Sequence, residues 1–389
     1  MDAFYASVEL LRYPDLRGQA VVIGGSRSHA PQTGPDGTRR YAQLRDYTGR
    51  GVVTTSTYEA RALGVHSAMG MMKAAALAPE AILLPVDFDE YRKYSRLFKA
   101  AVREVAPLVE DRGIDEIYID LTDVPGAQDD QGRAAGEALR RAVFAATGLT
   151  CSVGITPNKL LSKIASELHK PDGLTLLGVA DIPARIWPMA VTKVNGIGPK
   201  ATEKLKALGI VTIADLAATD PGFLTAQFGN SYGAWLHAAA HGRDDRPVVL
   251  HSEPKSISRE TTFERDLHAV RDRAQLSALF TGLCVQLAAD LERKGYAAKT
   301  IGLKLRFDDF RIVTRDVTLP AHTFEARTIR RAAGECLKRV DLSRRMRLLG
   351  VRAGNLARLD ALLNPAAPVV REPEPAWRSP MPLFDGMGG

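Results

Sequence analysis

The sequence predicts an α+β chain of several domains, and three features of its patterning predict it. Its 389 residues exceed what one hydrophobic core normally serves. Residues 1–11 and 75–173 read as alternating helices and strands, and 174–242 reads as short helices punctuated by glycine. In 255–358, Leu303, Leu305 and Phe307 alternate with Lys304 and Arg306 between helical patterns over 269–293 and 325–340, the mark of a second α+β unit.

Along the chain, 21–24 has the character of a strand end. The stretch 26–50, rich in Gly, Pro and Arg without a period, reads as an inserted exposed loop. Strand-like 51–55 runs into a helix beginning near Thr57, with Ser56 and Glu59 at capping-box spacing. The polar, proline-containing stretch 243–254 reads as a linker. Beyond Asp360 the chain is rich in Pro and Ala, and disorder is expected there.

Bulk composition excludes some classes. A hydrophobic content of 45% is ample for real cores, and neither an eighteen-residue apolar run nor a basic n-region with an apolar h-region is present. A cytoplasmic protein without a membrane span is expected. Cys151, Cys284 and Cys336 stand far apart, outside any disulfide or zinc spacing, and read as small buried residues. The net charge of +7 is concentrated: residues 251–360 carry 22 Lys and Arg against 14 Asp and Glu, a net +8. A basic segment of domain size favours a polyanionic partner, although solvated surfaces also carry such charge.

The chemistry centres on Asp115 and Glu116, which open the apolar run 114–120. In a regular strand the two would point to opposite faces, so they converge only where the pleat is broken; Arg112-Gly113 makes a hairpin mouth there plausible. Such carboxylates suit hard divalent cations beside phosphates, yet an Asp-Glu pair alone is as readily a solvated turn. Tyr58 and Arg61, three apart near a helix start with Thr55 upstream, form a face suited to phosphate, or an ordinary helix surface. Thr156-Pro157-Asn158 starts a helix striped by Leu160, Leu161, Ile164 and Leu168. Lys159 and Lys163 lie four apart on another face, and Lys170 projects at its end before Pro171. Val194-Asn195-Gly196-Ile197-Gly198-Pro199-Lys200 looks like a helix-hairpin-helix, whose glycines let backbone N–H groups approach a DNA phosphate; a plain interhelical turn is the rival.

Together these pieces resemble the Y-family translesion DNA polymerases, in the DNA polymerase IV (DinB-type) branch, over residues 1–355. The resemblance rests on Met1-Asp2-Ala3-Phe4-Tyr5-Ala6-Ser7-Val8-Glu9, Thr57-Tyr58-Glu59-Ala60-Arg61, Ile114-Asp115-Glu116, Asn158-Lys159 through Lys170-Pro171, and the Gly196/Gly198 hairpin. It implies a right-hand architecture: palm (1–11 and 75–173), fingers (12–74), helical thumb (174–242), linker (243–254), little finger (255–358) and a tail (359–389). It implies low-fidelity, template-directed nucleotidyl transfer from a deoxynucleoside triphosphate to a primer 3′-OH past lesions, with two Mg²⁺ ions. Asp115 and Glu116 match catalytic metal ligands, the Met1 carbonyl joining them. Thr55, Tyr58, Arg61 and Lys170, with the backbone of Ala3, Phe4 and Tyr5, match the triphosphate cradle. Tyr5 matches the steric gate against ribonucleotides. DNA contacts are expected from Lys163, Gly196, Gly198, Lys200, Lys304 and Arg306, and a monomer is expected. Pro380-Met381-Pro382-Leu383-Phe384 resembles a peptide that docks on the sliding clamp through Met381, Leu383 and Phe384, with Pro380 where the family usually has Gln.

Two departures from the family pattern carry expectations. Family members open on an apolar strand, missing here, that ends in an Asp immediately before the residue matching Met1. The expectation is that the recorded start is internal to the reading frame, leaving an exposed sheet edge, weakly held metals and a chain that is inactive or nearly so. Asp2 matches a neighbouring family aspartate that is not normally a ligand. Gly113 replaces a usual Ser, with a small effect on the turn expected. A polymerase-like scaffold that binds DNA and clamp without chemistry is the rival reading; a helix-hairpin-helix nuclease leaves Tyr58 and Arg61 unexplained.

Overall fold

The chain opens on a helix, α1 (Phe4–Arg12), whose Phe4, Ala6 and Val8 are buried. In the computed structural model, which describes residues 1–363, α1 belongs to the first of two compact units, Met1–His251; the second begins at Ser252. After α1 comes β1 (Val21–Gly25). The stretch that follows, expected as an exposed loop, is largely exposed only as far as Arg40, around a short hairpin of β2 (Gln32–Thr33) and β3 (Arg39–Arg40); beyond it β4 (Ala42–Gln43) pairs with the sheet, and Leu44 and Tyr47 are buried in its core. The strand expected over 51–55 contracts to β5 (Thr55–Ser56) before α2 (Tyr58–Ala62) and α3 (Met71–Leu77), and β6 (Ile82–Pro85) completes a sheet in the order β4-β6-β1-β5. The helix cap falls one residue later than the spacing of Ser56 and Glu59 implied, and it is a single cap, since Ala60 at the third helical position has no side chain to complete a box. Thr57 is the cap and its hydroxyl accepts from Ala60 N at 3.4 Å, whereas the Ser56 hydroxyl is already committed to Val65 O at 2.8 Å.

The next part of the unit carries the acids. Long α4 (Phe88–Val105), capped by Asp87, leads to the antiparallel pair β7 (Val109–Asp111) and β8 (Ile117–Ile119). Helix α5 (Arg133–Thr147) precedes β9 (Val153–Ile155), and α6 (Lys159–Leu168) crosses over to β10 (Leu174–Leu176), parallel to β9. Phe98 and Val102 of α4 meet Leu139 and Val143 of α5 and Cys151 in one core. Gly154 is required where α6 crosses its strand, because a Cβ there would lie 2.5 Å from Ser162 O. A helical region follows: α7 (Pro199–Ala207), α8 (Ile213–Ala218), α9 (Pro221–Phe228) and α10 (Asn230–Ala240), with Leu205, Ile213, Leu216, Leu224 and Leu236 fully buried among them.

The second unit is a four-stranded antiparallel sheet with two helices on one face. Its elements run β11 (Ser256–Leu267), α11 (Arg273–Lys294), β12 (Tyr296–Phe307), β13 (Ile312–Thr323), α12 (Ala326–Leu337), β14 (Met346–Arg358) and a last turn, α13 (Leu359–Leu363), in the sheet order β11-β14-β12-β13. Leu303, Leu305 and Phe307 face the helices, buried as their alternation implies. By length and composition α11 would suffice to cross a membrane, which the sequence reading did not register. In the fold its Phe280, Leu283, Cys284, Leu287 and Leu291 pack in the core under the sheet. All three cysteines are free and buried.

Candidate active site

Asp115 and Glu116 sit at the mouth of the β7–β8 hairpin, before the regular strand begins. Arg112 N donates to Glu116 O at 3.1 Å across the mouth. Lys99 of α4 braces the turn: its ammonium donates to both Asp111 carboxylate oxygens at 2.9 and 2.8 Å and to Gly113 O at 2.6 Å. A carbonyl bond at position 113 needs no side chain, so glycine serves there. Because the pleat is broken at this point, both acids border one groove of about 750 Å³, with β8 and β9 along its sides and Met1, Lys163, Glu167 and Lys170 among its lining.

Charges alternate around the acid pair. The Lys163 ammonium bonds Glu116 directly, Lys163 and Glu167 approach to 4.0 Å, and Lys170 donates to Glu167 at 2.5 Å. Burial would push the Glu116 carboxyl up, but the bond and charge of Lys163, with Lys170 behind it, hold it below its ordinary value. Among the described residues no three His, Cys, Asp or Glu groups converge as a metal cage. Two carboxylates are nonetheless a donor set suited to Mg²⁺, which takes the rest of its shell from water and substrate phosphates.

Tyr58, Arg61 and Thr55 form a cluster of their own outside the groove lining. The Arg61 guanidinium lies 4.9 Å from the Tyr58 ring centre, donates to Ser56 O at 3.2 Å and reaches the Thr55 hydroxyl at 3.4 Å. The Tyr58 hydroxyl is buried with no hydrogen-bond partner among the described residues. Burial first, then the charge of Asp2 against the opposing Arg61, pushes it up to about 12, so it is a proton donor at neutral pH. The carboxylate of Glu167, which lines the groove, adds a smaller push in the same direction.

Tyr5 is held by rings. Its centroid lies 4.4 Å from Tyr91, and Phe88 meets it edge-on at 5.9 Å. Tyr91 donates to Glu9 at 2.8 Å inside the core. Burial, then the Asp115 carboxylate, raises the Tyr5 hydroxyl, so Tyr5 and the acid pair share one neighbourhood. Ala3 adopts a left-handed conformation as the helix cap and offers no side-chain cap, leaving the first-turn amides of α1 without that partner.

The remaining expected residues lie elsewhere. Gly196 has φ 115°, and a Cβ there would fall 2.6 Å from Trp235, so the hairpin at 194–200 needs glycine for conformation and space. Gly198 caps α7, and Lys200 beside it is exposed. In the second unit Lys304 donates to Glu260 at 2.8 Å on the solvent face of the sheet, while Arg306 Nε is buried with no hydrogen-bond partner among the described residues. Met381, Leu383 and Phe384 lie outside the described residues. Sequence reasoning missed three features. Glu167 links the lysines. The buried pair Lys159–Glu110, at 2.7 Å, also receives Val249 N at 2.8 Å and donates to Pro247 O at 2.7 Å. Asp2 is buried and hydrogen-bonded across 150 and 170 residues of sequence. Only Glu167 carried a signal, its spacing of four from Lys163 on one helix face.

Comparison with known proteins bears on this geometry. Residues 1–167 match the impB/mucB/samB family, residues 254–363 match that family's C-terminal domain, and residues 179–210 match the IMS family HHH motif. The chain is 40% identical over 358 residues to DNA polymerase IV of Streptomyces coelicolor, spanning 92% of this chain and 70% of that protein. It is 38% identical over 356 residues to DNA polymerase IV of Methanoculleus marisnigri, spanning 92% of each. Among solved structures, a Y-family DNA polymerase chimera superposes with a TM-score of 0.75 at 23% identity over 92% of this chain and 97% of that one. An insertion ternary complex of Dbh DNA polymerase superposes with a TM-score of 0.62 at 22% identity over 92% and 98% of the two chains.

Proposed function

Since this chain belongs to the impB/mucB/samB family of Y-family translesion polymerases and is a DNA-directed DNA polymerase, we propose that Asp115, Glu116, Thr55, Tyr58, Arg61 and Lys170 make up its nucleotidyl-transfer site. The observation that carries this reading is the Tyr58 hydroxyl, a buried donor without a partner beside Arg61. A phosphate oxygen would satisfy it, and a phosphate would also engage Arg61 and Lys170.

In this reading the primer 3′-oxygen attacks the α-phosphorus of a deoxynucleoside triphosphate, and the bond to the leaving pyrophosphate breaks. Arg61, Tyr58 and Lys170 hold the β- and γ-phosphates in line, with the α1 amides near Phe4 and Tyr5 assisting. Asp115 and Glu116, with the Met1 carbonyl, would hold two Mg²⁺ ions, which supply charge neutralisation at the reacting phosphates when bound. Lys163, bonded to Glu116, is then the counterion of a carboxylate that would be a metal ligand. Tyr5, fixed by Tyr91 and Phe88, fills the space a 2′-OH needs, so Tyr5→Ala should admit ribonucleotides about a hundredfold more readily. Primer-template DNA is gripped by phosphates at the Gly196–Gly198 hairpin with Lys200, at Lys163, and at Lys304 and Arg306 of the sheet, so affinity falls with salt. The protein works as a cytoplasmic monomer, and Met381, Leu383 and Phe384 dock on the sliding clamp; deleting residues 379–389 should weaken clamp-stimulated synthesis and spare distributive synthesis.

The test is primer extension with Mg²⁺ and deoxynucleotides. Weak extension, because two carboxylates hold the metals loosely, with KM for the nucleotide raised at least tenfold in Arg61→Ala and Lys170→Ala, is the expected result. DNA binding without extension would identify a scaffold, and cleavage of the same DNA would identify a nuclease.

A further inference from the structure

We infer that Asp2 is a positioning residue that holds Lys170 at a set distance from the first turn of α1, so that the two walls of the triphosphate site move as one. The inference rests on the site proposed above. Asp2 is 2% exposed, and a carboxylate buried so deeply is costly unless its oxygens are bonded. One oxygen accepts from the Ser152 hydroxyl at 2.7 Å and the other from Asp172 N at 2.9 Å. The Ser152 oxygen in turn accepts from Gly173 N at 3.2 Å. Two consecutive amides, just beyond Lys170 and Pro171, are thereby tied to one side chain.

The segment has little freedom besides. Asp172 stands at φ 54°, and a Cβ at Gly173 would meet His169 O at 2.1 Å, so the turn that ends α6 is tight and its path depends on where those amides are anchored. Arg140 holds the other side, donating to Asp172 O at 2.6 Å and pairing with its carboxylate at 2.7 Å. Meanwhile the main chain of Asp2 is the lead-in to α1: its N–H donates to Thr150 O at 3.2 Å, its carbonyl accepts from the Ser7 hydroxyl at 2.7 Å, and the left-handed cap Ala3 follows directly. A single residue therefore fixes the helix start beside Tyr5 with its backbone and the Lys170 turn with its carboxylate. Both oxygens face neutral donors within the protein, which leaves Asp2 a brace rather than a metal ligand.

The experiment is a double-mutant cycle read by nucleotide binding, which needs no turnover. The dissociation constant for dTTP is measured on the full chain bound to primer-template DNA with a dideoxy-terminated primer and a templating A, alongside DNA affinity. Asp2→Ala should weaken dTTP about tenfold and leave DNA affinity unchanged. Asp2→Asn, which can still bond both Ser152 and Asp172 N with its amide, should stay within about threefold of the parent. In a Lys170→Ala background, Asp2→Ala should add less than about twofold, because the group it positions is gone. If Asp2→Ala does not fold, Ser152→Ala in the same cycle decides the matter. Independent, multiplying losses would overturn the inference while leaving the role of Lys170 intact, as would equal losses of dTTP and DNA binding. An unchanged dTTP affinity in Lys170→Ala would remove the proposed site and this inference with it.

Discussion

Replacing Tyr58 by Phe separates function from stability, because its hydroxyl is buried with no partner among the described residues while its ring supports Arg61 at 4.9 Å. The substitution keeps the ring and removes only the oxygen. An unsatisfied buried hydroxyl costs about 1–3 kcal/mol, so the folded protein should gain about 1 kcal/mol, which for a unit of this size raises its Tm by about 2–4 °C. A hydrogen bond to a charged phosphate is worth about 1.5–3 kcal/mol, so nucleotide affinity should fall about 10- to 150-fold. Circular-dichroism melting and dTTP binding to a primer-template complex measure the two effects. With the hydroxyl pushed up to about 12 by burial, the difference between parent and variant should be flat from pH 6 to about 10. A destabilised Tyr58→Phe with unchanged dTTP affinity would mean the hydroxyl serves the fold and not a phosphate, and the reasoning would fail.

Three further outcomes are expected. Lys159→Met leaves the Glu110 carboxylate, 5% exposed, to the exposed Arg112 at 3.4 Å and to Val249 N, and should cost about 2 kcal/mol or more by urea unfolding. Adding Glu110→Gln should restore part of that loss, and a single-variant cost below about 1 kcal/mol would show the pair to be dispensable. Lys163→Met should remove one contribution to acid stability. Glu116 is held below its ordinary 4.5, so the stability it contributes is present above that value and lost as pH falls through the lowered one; acid titration followed by fluorescence compares the two proteins. Gly196→Ala should destabilise the helical region by at least about 2 kcal/mol and weaken DNA binding, because the position combines φ 115° with a 2.6 Å approach to Trp235; unaltered melting would count against the strain argument.

Much of the fold was legible wherever short-range periodicity reports burial. The alternation at Leu303, Leu305 and Phe307 marked the buried face of β12, and the stripe Leu160, Leu161, Ile164 and Leu168 marked the inner face of α6. Local caps were less legible, as Ser56 shows: its hydroxyl had a tertiary alternative in Val65 O, and the cap passed to Thr57. The acid pair was legible as a break in the pleat, but not its dependence on Lys99, which reaches it from another helix.

By itself the sequence determined most of the elements, the candidates for the site and the family, because side-chain periodicity, glycine conformation and ordered motifs are properties of neighbouring positions. Tertiary structure alone decided which groups share a charge or a proton. It set Lys163 on Glu116, buried Lys159 against Glu110, left the Tyr58 hydroxyl without a partner and spent the carboxylate of Asp2 on Ser152 and Asp172. Hydrogen bonds and Coulomb forces act through space over a few ångströms, and residues 2 and 172 become neighbours only once the chain has folded.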